Sequence, residues 1–210
     1  MIAKQEWTVT LLMACALSAC GQGRAADTGG SNAPTPAATP KKDKPPAALI
    51  TAADLPKGWT AIPNADGKGR AGSCLDKLTA PGGPFDRNIA PTATFARGKI
   101  GPFLAASLVG QPADVVLPKV NTILVACNGS SSVDGLTTSI EPLSLSGLPQ
   151  GSLAVRGADA GKGEHIRYTI VAAGTGAATS FVFAVTPLGE VDNTVVVSAI
   201  NAMHKRLPQP

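Results

Sequence analysis

From Gly21 to Pro46 the chain contains no Leu, Ile, Val, Met, Phe, Trp or Tyr. A stretch without bulky apolar side chains cannot bury enough surface to offset the entropy of ordering it. Whatever folds must lie on one side of it or the other. Upstream there are 20 residues. Downstream, residues 47–210 number 164, enough for one core that buries about 70% of the unfolded surface. The spacer is Gly, Ala, Pro, Thr and Ser, with Lys41, Lys42 and Lys44 near its end. It reads as a flexible tether of roughly 30 Å root-mean-square reach. Its lysines suit plain solvation or anionic headgroups equally well. No internal repeat is visible.

The upstream residues follow the plan of an export signal. Met1 to Trp7 carries Lys4, partly offset by Glu6, and Thr8 to Ala19 is an apolar run of 12 residues. That is well short of the ~20 residues a spanning helix needs. The run closes on Leu17-Ser18-Ala19-Cys20-Gly21, which resembles the lipobox of bacterial lipoproteins. The resemblance implies cleavage before Cys20 and a diacylglyceryl group on its thiol. Two acyl chains meet the requirement for stable anchoring, whereas one does not. The competing reading is an ordinary secretory signal with an incidental Cys20, but such signals usually end in an A-x-A-like site. The expected organisation is a lipoprotein signal peptide over 1–19, a lipidated Cys20 with a disordered linker over 20–46, and a single extracytoplasmic domain over 47–210. The expected location is the cell membrane, lipid-anchored on its extracytoplasmic face.

Charge narrows the partners. Lys4 and Glu6 cancel, so removing the signal leaves the formal net charge at +4. That mild excess suits anionic lipid or wall polymer and is no nucleic-acid footprint. Aromatics make up only 4%, too few for a platform on which bases stack. The expected partners are therefore membrane lipid, through the acylated cysteine, and a small ligand or an envelope protein.

The four cysteines sort by position. Cys15 leaves with the signal and Cys20 is acylated. Cys74 and Cys127 remain, an even pair in an oxidising compartment, and are expected to form a disulfide. Such a bridge contributes about 4 kcal/mol in the chain-entropy description. A metal site built from Cys74, Cys127, His165 and His204 is the alternative. No two of these have close ligand spacing, so neither a metal nor a cofactor is expected.

The domain opens with Thr51 and Asp54, spaced like a shortened capping box, with Ile50 and Leu55 as a staple and Pro56 as a stop. Residues 61–73 read as a Gly-rich loop, followed by a helical turn near Leu75 and Leu78. Thr92–Arg97 and Phe103–Val109 read as strands. A helix is expected over Ala113–Cys127, with Val116, Val120, Ile123 and Cys127 on one stripe. Pro118 starts or kinks it, and Asn128-Gly129 ends it in the left-handed region. Four more strands are expected at Thr137–Leu143, Ser152–Arg156, Glu164–Ala172 and Thr179–Thr186. In the third, Ile166, Tyr168 and Ile170 alternate with His165, Arg167 and Thr169; in the fourth, Phe181, Phe183 and Val185 share a face. Gly174-Thr175-Gly176 marks a hairpin. Residues 191–207 carry Val191, Val195, Ala199 and Met203 at helical spacing, with Lys205 and Arg206 where cations suit the helix dipole. Antiparallel strands with one polar face imply an α+β fold, the sheet flanked by a few helices.

This order of lipobox, tether, Thr51-to-Trp59 opening, Cys127-terminated helix, strand meander and C-terminal amphipathic helix resembles a group of actinobacterial lipoproteins. These are similar to the extracellular sensor domains of mycobacterial receptor Ser/Thr kinases. The resemblance implies an antiparallel sheet flanked by helices, a ligand-binding cleft, and Cys74–Cys127 as a structural bridge. Kinase signalling is not carried over.

Other motifs are weaker. Gly67-Lys68-Gly69-Arg70-Ala71-Gly72 matches G-x-G-x-x-G, but a dinucleotide site needs a strand before it and a helix after it. Asp27-Thr28-Gly29 resembles an aspartic-protease triplet but lies in the tether. Asn128-Gly129-Ser130 is a formal glycosylation sequon that reads more simply as a helix cap. There is no G-x-S-x-G or S-x-x-K motif. His165, beside Glu164 and sharing a face with Arg167, is the residue on which a hydrolase would have to depend. The expected function is a non-catalytic, sensor-like or accessory binding module without a catalytic residue. A lipid carrier and a cell-envelope hydrolase are the alternatives.

Overall fold

A computed structural model describes residues 47–63, 74–131, 135–161 and 163–207. Cys20, the tether, the 67–72 glycine motif and Asp27-Thr28-Gly29 lie outside them. Seven strands form one antiparallel sheet: β1 (Thr60–Ile62), β2 (Thr92–Ala96), β3 (Phe103–Val109), β4 (Thr137–Pro142), β5 (Leu153–Gly161), β6 (Glu164–Gly174) and β7 (Thr179–Thr186). Their spatial order is β1-β2-β3-β7-β6-β5-β4. The helices are α1 (Asp76–Thr79), α2 (Ala113–Cys127) and α3 (Asn193–His204), with a 3-10 turn at Ala52–Asp54. The fold is α+β, as the alternation and helical stripes imply.

Both faces of the sheet are covered. On one, Val195, Val196, Ala199, Ile200 and Met203 of α3 pack on Phe95, Leu104, Ala106, Val171, Ala173, Val182 and Ala184, joined by Leu49, Ile50, Leu55 and Trp59. On the other, Val116, Val120, Leu124 and Cys127 of α2 pack on Val155, Ile170, Ala172 and Phe181, with Leu78, Phe85 and Ala90. Each Val, Leu, Ile, Phe or Met side chain among these, fully removed from water, contributes about 1.5–3 kcal/mol. The expectation of a single polar face holds only for the first half of β6. His165 and Arg167 are exposed, Thr169 is buried, and Val171 and Ala173 continue the same face beneath α3.

Local chemistry explains the elements. Asp54 accepts from the Thr51 backbone N–H at 2.7 Å and from the Thr51 hydroxyl at 3.1 Å, closing the expected capping box. The Arg206 guanidinium also donates to Asp54, which holds this carboxyl below its ordinary range. Arg206 further donates to the Leu49 carbonyl at 2.9 Å, so the end of α3 ties down the start of the domain. The β6–β7 hairpin closes around Thr175, whose N–H donates to the Ala178 carbonyl at 2.9 Å. Helix α2 spans the expected residues and runs through Pro118. Leu124 is buried in its stripe, whereas Ile123 is only half-buried.

Helix α2 ends at Asn128-Gly129 as expected, with one difference at Asn128. Gly129 takes the left-handed conformation with φ +78°, but Asn128 is extended. The Asn128 side chain instead accepts from the Ile140 N–H at 3.0 Å. Next to it, the Gly129 N–H donates to the Thr138 carbonyl at 2.8 Å and the Thr138 N–H to the Ser130 carbonyl at 2.9 Å. The segment leaving α2 thus lies along the outer edge of β4. Most strand limits fall within two residues of those expected, and two strands differ by more. β1 falls partly in the expected loop, and β5 runs on from Arg156 to Gly161.

Candidate functional site: a charged basin at the start of α3

Residues on β4, β5 and β6 that face the α3 side form the floor of an open basin, and the β7–α3 connection forms its wall. Its volume is about 290 Å³. The antiparallel register sets Glu141 opposite Arg156, and Arg156 opposite Thr169. Strand pairing therefore delivers an acid, a base and a hydroxyl to one row. The neighbouring row carries Ser139, Ala158 and Arg167.

Each basin arginine has a carboxylate partner. Arg156 donates from Nη2 and Nε to Glu141 Oε2 at 2.8 and 3.0 Å. Arg167 donates to Glu190 across the wall, and to the Gly189 carbonyl at 3.4 Å. The Thr169 hydroxyl donates to Asn193 Oδ1 at 3.0 Å, fixing the first residue of α3 to the floor. Both ion pairs are solvent-exposed, with about half to four-fifths of each side chain accessible. Exposed pairs contribute about 0–1 kcal/mol. A ligand carrying both charges can therefore replace either internal partner at little cost.

The first turn of α3 is capped by its own N-cap residue, Asp192. The Asp192 carboxylate accepts from the Thr194 N–H at 3.0 Å and from the Thr194 hydroxyl at 2.6 Å. The anion-binding capacity of the basin therefore resides in the guanidinium groups. Leu143 and Val191 complete the lining, so the surface pairs charge with some aliphatic contact.

The residues singled out by sequence have separate fates. Cys74 and Cys127 form the expected disulfide, with Cα atoms 5.4 Å apart. The bridge joins the loop before α1 to the last turn of α2, away from the basin lining. Both thiols are consumed, and no group of three His, Cys, Asp or Glu residues among the described residues converges on a point that could hold a metal. His165 lies opposite Ala160 on the exposed part of β6 and is not in the basin lining. Its face-mate Arg167 is. His204 sits in the last turn of α3, far along the chain from the other three candidate ligands. Asn128 of the sequon is engaged at the edge of β4.

Sequence reasoning missed the basin because its pairs are defined by register. Glu141 and Arg156 are 15 residues apart and Arg167 and Glu190 are 23 apart. The legible signal was the change along one face of β6, from His165 and Arg167 to Val171 and Ala173, which marks where the covering helix begins. No helix among the described residues is long and apolar enough to cross a membrane. Comparison of the chain with protein families, characterised proteins and solved structures finds no match.

Proposed function

We propose that this chain is an extracytoplasmic lipoprotein, anchored through an acylated Cys20, whose domain is a non-catalytic, sensor-like binding module. Its recognition surface is the basin at the start of α3. The observation that supports this reading is the duplicated pairing of arginine with glutamate, Arg156 with Glu141 on the sheet and Arg167 with Glu190 across the wall. Two guanidinium groups and two carboxylates, each loosely paired, present the complement of a ligand that bears an anion and a cation, such as a short peptide or amino-acid derivative. Charge-assisted hydrogen bonds to such groups contribute about 1.5–3 kcal/mol each, and the wall residues Leu143 and Val191 add apolar contact. A carrier of apolar chains is favoured less, because this surface is charged and open.

Two measurements test the reading. Titration of the full chain with diglycine, succinate and putrescine should show the dipeptide binding best. Arg167→Ala or Glu141→Ala should each weaken dipeptide binding about tenfold or more. Equal binding of all three probes, or binding unaffected by either substitution, would refute the basin as the recognition surface. The anchor is tested separately by fractionating cells. Cys20→Ala should move the protein out of the detergent-soluble membrane fraction, and retention there would refute acylation at that thiol.

A further inference from the structure

One end of the sheet carries two exposed aliphatic side chains on adjoining turns. Ile100, in the β2–β3 turn, is 67% exposed, and Leu188, just beyond β7, is 68% exposed. Phe103 pairs with Val185 in the β3–β7 ladder, which brings the two turns side by side. A methyl group placed on Gly101 would lie 3.4 Å from Pro187 Cδ and about 3 Å from the Phe103 ring. Ile100, Pro102, Pro187 and Leu188 thus share this end of the sheet, an apolar ridge along two neighbouring turns beside the half-buried Phe103. Singly scattered exposed aliphatics need no explanation; two on neighbouring turns, flanked by prolines and cations, point to a partner.

Cations flank this ridge. Lys99 precedes Ile100, Arg97 begins the same turn, and all of residues 97–100 are exposed. Lys57 stands in the neighbouring Pro56–Gly58 turn, where the Gly58 Cβ position is 3.5 Å from Arg97 Nε. No ion pair involves Lys57, Arg97 or Lys99 among the described residues. Glu190 of the β7–α3 connection is taken up by Arg167. Three cations without an ion pair among the described residues, set around an aliphatic ridge, match the chemistry of an anionic bilayer surface, where the ridge would enter the headgroup boundary and the cations would meet lipid phosphates.

We infer that this tip, formed by the β2–β3 turn and the β7–α3 connection, is a contact surface for anionic lipid. It is distinct from the dipeptide-binding chemistry of the basin and does not depend on acylation of Cys20.

Hydrogen exchange of the full chain in the presence of excess vesicles tests it locally, whatever attaches the chain to them. On vesicles containing 30 mol% phosphatidylglycerol, amides of residues 97–103 and 186–190 should exchange about tenfold more slowly than on pure phosphatidylcholine. The protection should vanish in the Ile100→Asp/Leu188→Asp variant and weaken in Arg97→Ala/Lys99→Ala, while exchange in α2 stays unchanged as a check on folding. Identical exchange of both turns on the two vesicle types would overturn the inference. So would protection that survives both variants. The intact mass of the same sample reports acylation of Cys20 independently, so failure of the tip and failure of the anchor are separable.

Discussion

Gly157→Ala should destabilise the domain by about 3 kcal/mol, although the same change in an open strand is expected to help. Replacing a strand glycine with alanine ordinarily gains roughly 0.5–1 kcal/mol through reduced backbone entropy of the unfolded chain. Here the space is taken. Gly157 pairs with Tyr168 across β5 and β6, and the tyrosine ring lies over the glycine. A Cβ at position 157 would sit 2.3 Å from Tyr168 Cε2 and 2.6 Å from its hydroxyl oxygen. The ring cannot simply swing away, because it is only 2% exposed and packs at a centroid distance of 5.7 Å from Phe183. Burial also raises the Tyr168 hydroxyl above its ordinary pKa, so the ring stays neutral. The clash therefore outweighs the entropic gain. Urea denaturation should show the loss, and Gly157→Val should be worse. In a Tyr168→Ala background the Gly157→Ala change should become neutral or stabilising. Unaltered stability of the single Gly157→Ala variant would mean that the ring does not cover the glycine.

Cys74→Ser should cost a comparable 2–5 kcal/mol, with the chain-entropy description giving about 4. The bridge spans a sequence separation of 53 residues that includes β2, β3 and α2. Without it, α1 keeps only Leu78 and its neighbours to hold it against α2. The remaining Cys127 is fully buried and is tolerated there as a small apolar group, so the loss reports the cross-link more than a new polar defect. Reductant should bring the native protein to the stability of the variant and leave the variant unmoved. A variant as stable as the oxidised protein would show that the cross-link contributes nothing.

These two residues also show what was legible in the sequence. Cys127 was placed by a helical stripe and a count of thiols, both local in the chain, and α2 and β7 came out with the expected limits for the same reason. β5 is harder to read: Gly157 follows the expected strand Ser152–Arg156, and a glycine in the middle of a run argues against a strand, yet β5 continues to Gly161. The residue that broke the pattern is the one whose missing side chain makes room for Tyr168, and only the β5–β6 register reveals that. β1 was missed because three residues with one bulky side chain, Ile62, give no period to read. The two-sided covering of the sheet was half visible, in the switch from Arg167 to Val171 along one face. The basin could not be read, because its ion pairs join residues brought together only after four strands and a helix have found their places. The resemblance to a lipobox, by contrast, is carried by five consecutive residues, Leu17 to Gly21, and requires no fold to be read.

The segment that leaves α2 has a consequence for how this domain behaves in company. An unpaired strand at the end of a sheet is a template on which a second copy can grow, and crowding on a surface raises the local concentration at which copies meet. Asn128, Gly129 and Ser130 occupy the hydrogen-bonding positions of β4 that a neighbour would need, and Pro142 closes the strand at its far end. At the opposite edge, β1 is only three residues long. The sheet is thus terminated chemically on one side and by brevity on the other, which keeps closely spaced copies of the domain from joining edge to edge.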